Sequence, residues 1–309
     1  MFNFDALPVT IDIIICTRNR PHDMERTLHS ILGQSLAPTR VLIVDSGTQR
    51  ADYRFFEQAF TAAQIGLRVI ESEAGLTHQR NRGIEVVQSD LVCFIDDDVI
   101  LEDAYLRSIQ DTFVADTEGK IGGVTGRITN HHFTPGLIST FIRRTFFLPI
   151  VSAGELLPSG FVNGISQTID NAVAVGWLSG CNMTYRREVF TLERFDETLR
   201  GYSYAEDVDF SVRVGKNFQL LYQPAARLEH CVSPINRLND YHRAKMFVPN
   251  HRYLFKKNFP QTMRNRLAHY LSLIGVLLQK LILEKSFAGF RGALSGIASK
   301  AHPKETRHS

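Results

Sequence analysis

Short apolar runs alternate, along the first half of the chain, with segments in which apolar residues recur every three or four positions. Ile11 to Cys16 is apolar apart from Asp12, Val41 to Val44 and Leu67 to Ile70 are shorter runs, and Leu91 to Ile95 is apolar throughout. Runs of this length, rich in β-branched residues, predict strands covered on both faces, as in a parallel sheet. Between them, Met24, Leu28, Ile31 and Leu32 fall at helical spacing, as do Tyr53, Phe56 and Phe60, and a further helix runs from about Thr77 into Val87. This β-α-β-α-β-α-β rhythm predicts an α/β fold with a mostly parallel sheet flanked by helices. Beyond it the pattern predicts a helix from Glu102 to Val114 and a strand from Ile121 to Ile128. Residues 130–176 are largely irregular, and order resumes at Val175 to Tyr185. A helix near Glu206 to Gly215 and a strand from Phe218 to Tyr222 follow.

Each predicted strand hands a polar cluster to one sheet edge, where open α/β sheets bind ligands. The sharpest cluster is Asp96-Asp97-Asp98, directly after Leu91 to Ile95. Three adjacent carboxylates repel unless solvated or neutralised, and hard divalent ions are held by carboxylate together with substrate phosphate oxygens. Alone, the triplet fits equally a solvated loop capping the next helix, since Glu102 and Asp103 continue the acidity.

The charge distribution adds a second feature. From Tyr241 onward there are 13 Lys or Arg against two acids, leaving 22 against 30 before it, so an acidic body carries a basic tail. That balance suggests an anionic membrane surface or nucleic acid, and no nucleic-acid motif accompanies it. Within the tail, Tyr270, Ile274, Leu277, Leu278 and Leu281 share a helical face. The fourteen residues from Tyr270 to Leu283 are too few to span a bilayer comfortably. The segment fits a helix lying in a membrane interface or one packed on the body or on a dimer partner. The four scattered cysteines, without CxxC spacing, read as reduced and buried. Met1 to Thr10 shows no signal-peptide pattern, so a cytoplasmic location is expected, peripheral at the inner face of the membrane if the tail binds it.

With these clusters in order, the chain resembles the family 2 glycosyltransferases, inverting enzymes of the Rossmann-like GT-A fold that use nucleotide-sugar donors. The matching pieces are Cys16-Thr17-Arg18-Asn19-Arg20, Val44-Asp45-Ser46-Gly47 and Gly75-Leu76 with Arg80-Asn81-Arg82-Gly83. Asp96-Asp97-Asp98, Gly180-Cys181-Asn182-Met183 and Glu206-Asp207-Val208-Asp209 complete the set, which spans roughly Thr10 to His230. The resemblance implies a catalytic domain over residues 1–240, with a nucleotide-binding half at about 10–128 and an acceptor-side half at 129–240, followed by a basic helical extension over 241–309.

By the same resemblance, Thr17, Arg18 and Asn19 lie near the base or ribose, Asp45 at a base edge, and Arg80 near the sugar or diphosphate. Asp45 fits equally an Asx turn with Gly47. The acid triplet corresponds to the family's DxD motif: Asp98 ligates a divalent cation, Mg²⁺ or Mn²⁺, Asp97 touches ribose or metal, and Asp96 supports them and shares in the metal site. His230 is either a further metal ligand or structural. Asp207 is the expected general base, although spacing does not separate it from Glu206 and Asp209. Trp177 is a sugar platform or core. The implied activity is transfer from a nucleotide-diphosphate sugar, with inversion, to a glycan or lipid-linked acceptor in cell-surface polysaccharide biosynthesis. A sugar-phosphate nucleotidyltransferase and a non-catalytic glycan or nucleotide-binding module are the competing expectations. The first lacks its Gly-rich loop here, and the intact acids argue against the second.

Overall fold

The computed structural model describes residues 9–49, 52–130, 135–199, 203–235 and 238–299. The first four strands, β1 (Ile11–Thr17), β2 (Arg40–Asp45), β3 (Gly66–Glu71) and β4 (Leu91–Asp96), pair in parallel in the order β3-β2-β1-β4. Crossover helices α1 (Pro21–Leu32), α2 (Arg54–Ala62) and α3 (Leu76–Ile84) connect them. Alternate residues of a strand face opposite sides. Accordingly Ile11, Ile13 and Ile15 pack with Met24, Leu28 and Phe60 on one face, while Ile14 joins Leu42, Val44 and Phe94 on the other. Fully burying such a side chain contributes about 1.5–3 kcal/mol, which fixes the register and hence where each strand end sits.

A short strand, β5 (Val99–Leu101), follows the acid triplet, which the sequence pattern assigns to a loop. Helix α4 (Tyr105–Ala115) then leads to β6 (Ile121–Ile128). The expected irregular stretch holds α5 (Leu137–Thr145), β7 (Val151–Ser152), β8 (Gly164–Ile165) and β9 (Val173–Ala174). Next come β10 (Asn182–Arg186), α6 (Val189–Leu192), α7 (Glu206–Val214) and β11 (Gln219–His230). The main sheet continues from β4 through β10, β6 and β11 to β5, with β9 on the side of β11. It is thus parallel over its first half, with β10 antiparallel to both neighbours.

Strand β11 runs eight residues past the expected Tyr222. Its register against β6 shifts between Gln223 and Arg227, a bulge that takes up Pro224, which has no N–H to give a ladder. Gly126 permits this, because a Cβ there would lie 2.3 Å from the Ala226 carbonyl oxygen. Beyond the bulge, Leu228 to His230 pair antiparallel with β5. That pairing delivers His230 to the acid triplet.

The extension is helical, as expected, with α8 (Asp240–Asn258), α9 (Met263–Leu278) continued by a π-turn at Gln279–Leu283, and α10 (Phe287–Ala298). Helix α8 passes through Pro249 and is clasped to α7. Asp209, 1% exposed, accepts from Asn258 at 2.8 Å and pairs with Lys257 at 2.9 Å and Arg213 at 3.0 Å. Helix α10 lies on α8 through glycines, since a Cβ on Gly292 would sit 2.2 Å from the Tyr241 carbonyl oxygen. The length argument against spanning is corrected here: α9 and its π-turn form a continuous 21-residue apolar helix, not fourteen.

Candidate active site

The C-terminal ends of β1 and β4, the start of α3, the Ser179–Cys181 turn and the start of α7 surround one cavity of about 950 Å³. Asp96 ends β4, and Asp97 and Asp98 form the tight turn into β5. Thr27 on α1 secures that turn, its hydroxyl lying 2.8 Å from the carbonyl oxygens of both Asp97 and Val99. The three carboxylates then diverge.

Asp97 points into the protein, where Thr17 Oγ1 donates to it at 2.6 Å and Arg20 Nη1 at 2.9 Å. Asp98 is also buried. Its Oδ2 accepts the Ser233 N–H at 2.8 Å, and its Oδ1 lies 3.1 Å from His230 Nε2, outside good hydrogen-bonding geometry. Asp96 remains partly open to the cavity, with Arg80 Nη2 at 3.8 Å. Both Asp97 oxygens are bonded to protein donors, while Asp96 is the more open of the two to the cavity. Ligand atoms of Asp96, Asp98 and His230 all lie within 4.8 Å of one another.

Electrostatics follow these contacts. Burial pushes Asp96 and Asp97 up to about 6, in spite of Arg80 and Arg20 respectively. Burial acts the same way on Asp98, but His230 and the Ser233 N–H outweigh it and hold that carboxyl down at about 2. Burial disfavours a charged His230, yet the contact with Asp98 prevails and its pKa is pushed up to about 11. A buried Asp98 oxygen without a well-aligned donor, beside a second carboxylate and an imidazole, fits a divalent cation. Carboxylates suit hard divalent ions and imidazole softer ones.

On the opposite wall, the acids of Glu206-Asp207-Val208-Asp209 separate as spacing could not separate them. Glu206, 7% exposed, bonds Arg80 Nη1 at 2.5 Å, and Arg80, 2% exposed, also donates to the Gly180 carbonyl oxygen at 3.0 Å. Asp209 belongs to the clasp with α8. Asp207 lines the cavity, its Oδ2 accepting the Gly180 N–H at 2.9 Å and its Oδ1 the Val208 N–H at 2.8 Å. Burial raises its pKa, against the pull of those N–H groups and of Arg80. Ala205, at φ 68°, turns the chain sharply into α7 and so aims Asp207 at the cavity.

The remaining expected residues divide. Thr17 and Arg18 line the cavity. Asn19 binds the neighbouring loop, its Oδ1 accepting the Thr48 and Gln49 N–H groups at 2.8 and 2.9 Å. Asp45 is buried and accepts the Gly47 N–H at 2.7 Å, the Asx turn foreseen as its alternative. Trp177 lines the cavity and donates to the Asn163 carbonyl oxygen at 2.8 Å. The pair His131-His132 falls outside the described residues.

No separate part is assigned from sequence to Arg20, which figures there only within a motif, or to Ser233 and three residues of α8. Arg20 neutralises Asp97, and the repulsion within the acid triplet could have called for a cation from the same edge. Ser233 fixes Asp98. Phe247, His251 and Leu254 of α8 form part of the cavity wall, so the extension is continuous with the site.

Residues 12–191 match the family model for glycosyl transferase family 2. The chain belongs to that family. The fold agrees with that of solved glycosyltransferases of GT-A architecture. A mannosyltransferase, PcManGT from Pyrobaculum calidifontis, solved with GDP-Man and Mn²⁺, aligns with a TM-score of 0.57 at 14% identity, covering 94% of this chain and 88% of that one. GalNAc-T7, solved with UDP, GalNAc and Mn²⁺, aligns at 0.59 and 13% identity, over 82% of this chain and 48% of its own. Among curated proteins, the glucosyl-dolichyl phosphate glucuronosyltransferase of Haloferax volcanii is 25% identical over 105 residues, 33% of this family 2 chain and 34% of that relative. The chain thus spans about a third of the length of the curated relative it matches.

Proposed function

We propose that this family 2 protein transfers a sugar from a nucleotide-diphosphate sugar to an acceptor hydroxyl with inversion, with Asp207 as general base. The observation that carries this reading is the fate of the acids in α7: Glu206, on the same cavity wall, is buried and paired with Arg80, Asp209 is buried and held by α8, and Asp207 is the partly exposed acid that bears no ion pair among the described residues. The acceptor O–H gives its proton to the Asp207 carboxylate as its oxygen forms a bond to the anomeric carbon. The bond from that carbon to the diphosphate breaks, and the nucleoside diphosphate leaves with the electron pair. Burial, by raising the basicity of Asp207, suits it to this role. Asp96, Asp98 and His230 would hold a divalent cation, which when bound supplies positive charge to the leaving diphosphate. Thr17 and Arg18 line the donor side, and Arg80 keeps Glu206 and the Gly180 turn in register with Asp207.

The acceptor side is formed by Trp177, Tyr204 and the α8 wall. The dolichyl-phosphate name of the curated relative supports a lipid-linked acceptor, and we extend this to cell-surface glycan assembly at the cytoplasmic face of a membrane. Thermal shift with UDP- and GDP-sugars in Mn²⁺ identifies the donor, because a ligand binding only the folded state stabilises it. Proton NMR of the product then reads the anomeric configuration. Inversion is expected, and a product of retained configuration would contradict the mechanism.

A further inference from the structure

Helix α9 is turned inside out. Its buried face carries Ala268, His269, Ser272 and Gly275 beside Leu273 and Val276, while Met263, Leu267, Tyr270 and Ile274, with Leu281 of the π-turn, are exposed. Their spacing places those five on one stripe, about 27 Å long at 1.5 Å per residue. The same inversion recurs next to it. In α5, Leu137 is 91% exposed and Ile138 and Phe141 are also exposed, with Ile142 the one buried side chain. In α10, glycines face α8 and Phe287 and Leu294 face outward. Both helices touch the π-turn that ends α9, so the three faces adjoin. Of 18 large apolar side chains exposed among the described residues, 11 lie on these three helices and the π-turn, which makes this a patch rather than the scatter normal to a protein surface.

We infer that this composite face seats on an anionic lipid bilayer, with α9 lying in the membrane interface. Charge selects the partner. Exposed Arg144, Arg264, Arg266, Lys285 and Arg291 flank the apolar side chains, and from Met263 to Ser299 the one acid is Glu284, paired with Lys280 at 2.6 Å. An apolar stripe with basic flanks is the pattern of an interfacial helix on anionic lipid. A second copy fits less well, because a twofold interface sets a patch against itself and would oppose these cations. Spanning is disfavoured by packing, although the helix is long enough. A Cβ at Gly275 would lie 2.4 Å from Phe146 Cβ, so α9 is seated on residues 146–148 without room for a side chain. The inference rests on α5 and the extension and stands apart from the transfer reaction.

The test is flotation of the full chain with phosphatidylcholine vesicles, with and without phosphatidylglycerol, alongside sedimentation velocity without lipid. The wild type is expected to float with the anionic vesicles and to be released by alkaline carbonate. Phe141→Ser/Tyr270→Ser/Ile274→Ser, with an unchanged circular dichroism spectrum, lowers the bound fraction about tenfold or more. Arg264→Gln/Arg266→Gln loses only the part that depends on phosphatidylglycerol and fades with salt. Equal flotation of the apolar variant, or no flotation of the wild type, would overturn the inference. A dimer dissolved by the same apolar substitutions, without vesicle binding, would assign the face to a second copy. Resistance to carbonate would overturn the in-plane placement.

Discussion

Replacing Arg80 with Met removes the charge that joins the two walls of the site. Arg80 and Glu206 are 2% and 7% exposed and 2.5 Å apart, so the change strands a carboxylate in the protein. Removing one partner of a buried pair typically costs about 3–5 kcal/mol. Burial raises the Glu206 pKa and Arg80 opposes it, so once Arg80 is gone protonation relieves part of the penalty, and the expected loss is near the lower end, about 3 kcal/mol. Adding Glu206→Gln removes the stranded acid, and the double variant should recover about 1–2 kcal/mol relative to the sum of the single changes. Urea unfolding, followed by circular dichroism and by fluorescence of Trp177, the one tryptophan, measures all four corners of the cycle. A loss below about 1 kcal/mol for Arg80→Met, or strict additivity in the double variant, would refute the buried pair as the link between the walls.

Further outcomes follow from the same geometry. Gly180→Ala places a methyl group 3.2 Å from Asp207 Oδ2 and Glu206 Oε1; turnover should fall about ten- to a hundredfold with donor affinity, read by calorimetry, nearly unchanged. Asp98→Asn should abolish the dependence of donor binding on Mn²⁺ while the protein stays folded, and unchanged binding in the variant and in EDTA would contradict the cation site. Asp12, buried near the N-terminal end of β1, is pushed up by burial, but Arg40, Gln88 and Ser89 outweigh this and its pKa is lowered. Its stabilisation is therefore present above the unfolded-state value near 3.8 and lost as pH falls through the folded value. Asp12→Asn should cost about 3 kcal/mol at neutral pH, and the gap to wild type should narrow in denaturation curves taken below about pH 4.

The parallel half of the sheet was legible because both faces are covered, so each strand announces itself as an unbroken apolar run. Its end points followed, and with them the place of Asp96 to Asp98, whereas Arg80 was singled out by the family resemblance. Elements whose sequences serve other ends were not legible. Pro224 reads as a terminator, yet a bulge absorbs it and β11 continues to His230. Helix α8 buries Pro249, Asn250 and His251, which no apolar period marks. Helix α5 was missed because its apolar side chains face outward between flanking prolines, and α9 was read too short because its first turns are basic. The division of labour among Asp96, Asp97 and Asp98 depends on Arg20 and Ser233, which approach from distant parts of the chain, and no spacing rule contains that information. The same holds for Glu206, Asp207 and Asp209, which are told apart by partners on other elements, Arg80 for the first, Gly180 for the second and Lys257 and Asn258 for the third.

The most direct measurement compares Asp207→Asn, Glu206→Gln and Asp209→Asn with wild type, for turnover and for calorimetric donor binding in Mn²⁺, once the donor is identified. Asp207→Asn keeps nearly the same volume and cannot take the proton. Its turnover should fall about 10²–10⁴-fold with donor and metal binding close to wild type. Glu206→Gln and Asp209→Asn should act mainly through stability. Near wild-type transfer by Asp207→Asn, with donor bound and the fold intact, would contradict the assignment of Asp207 as the base.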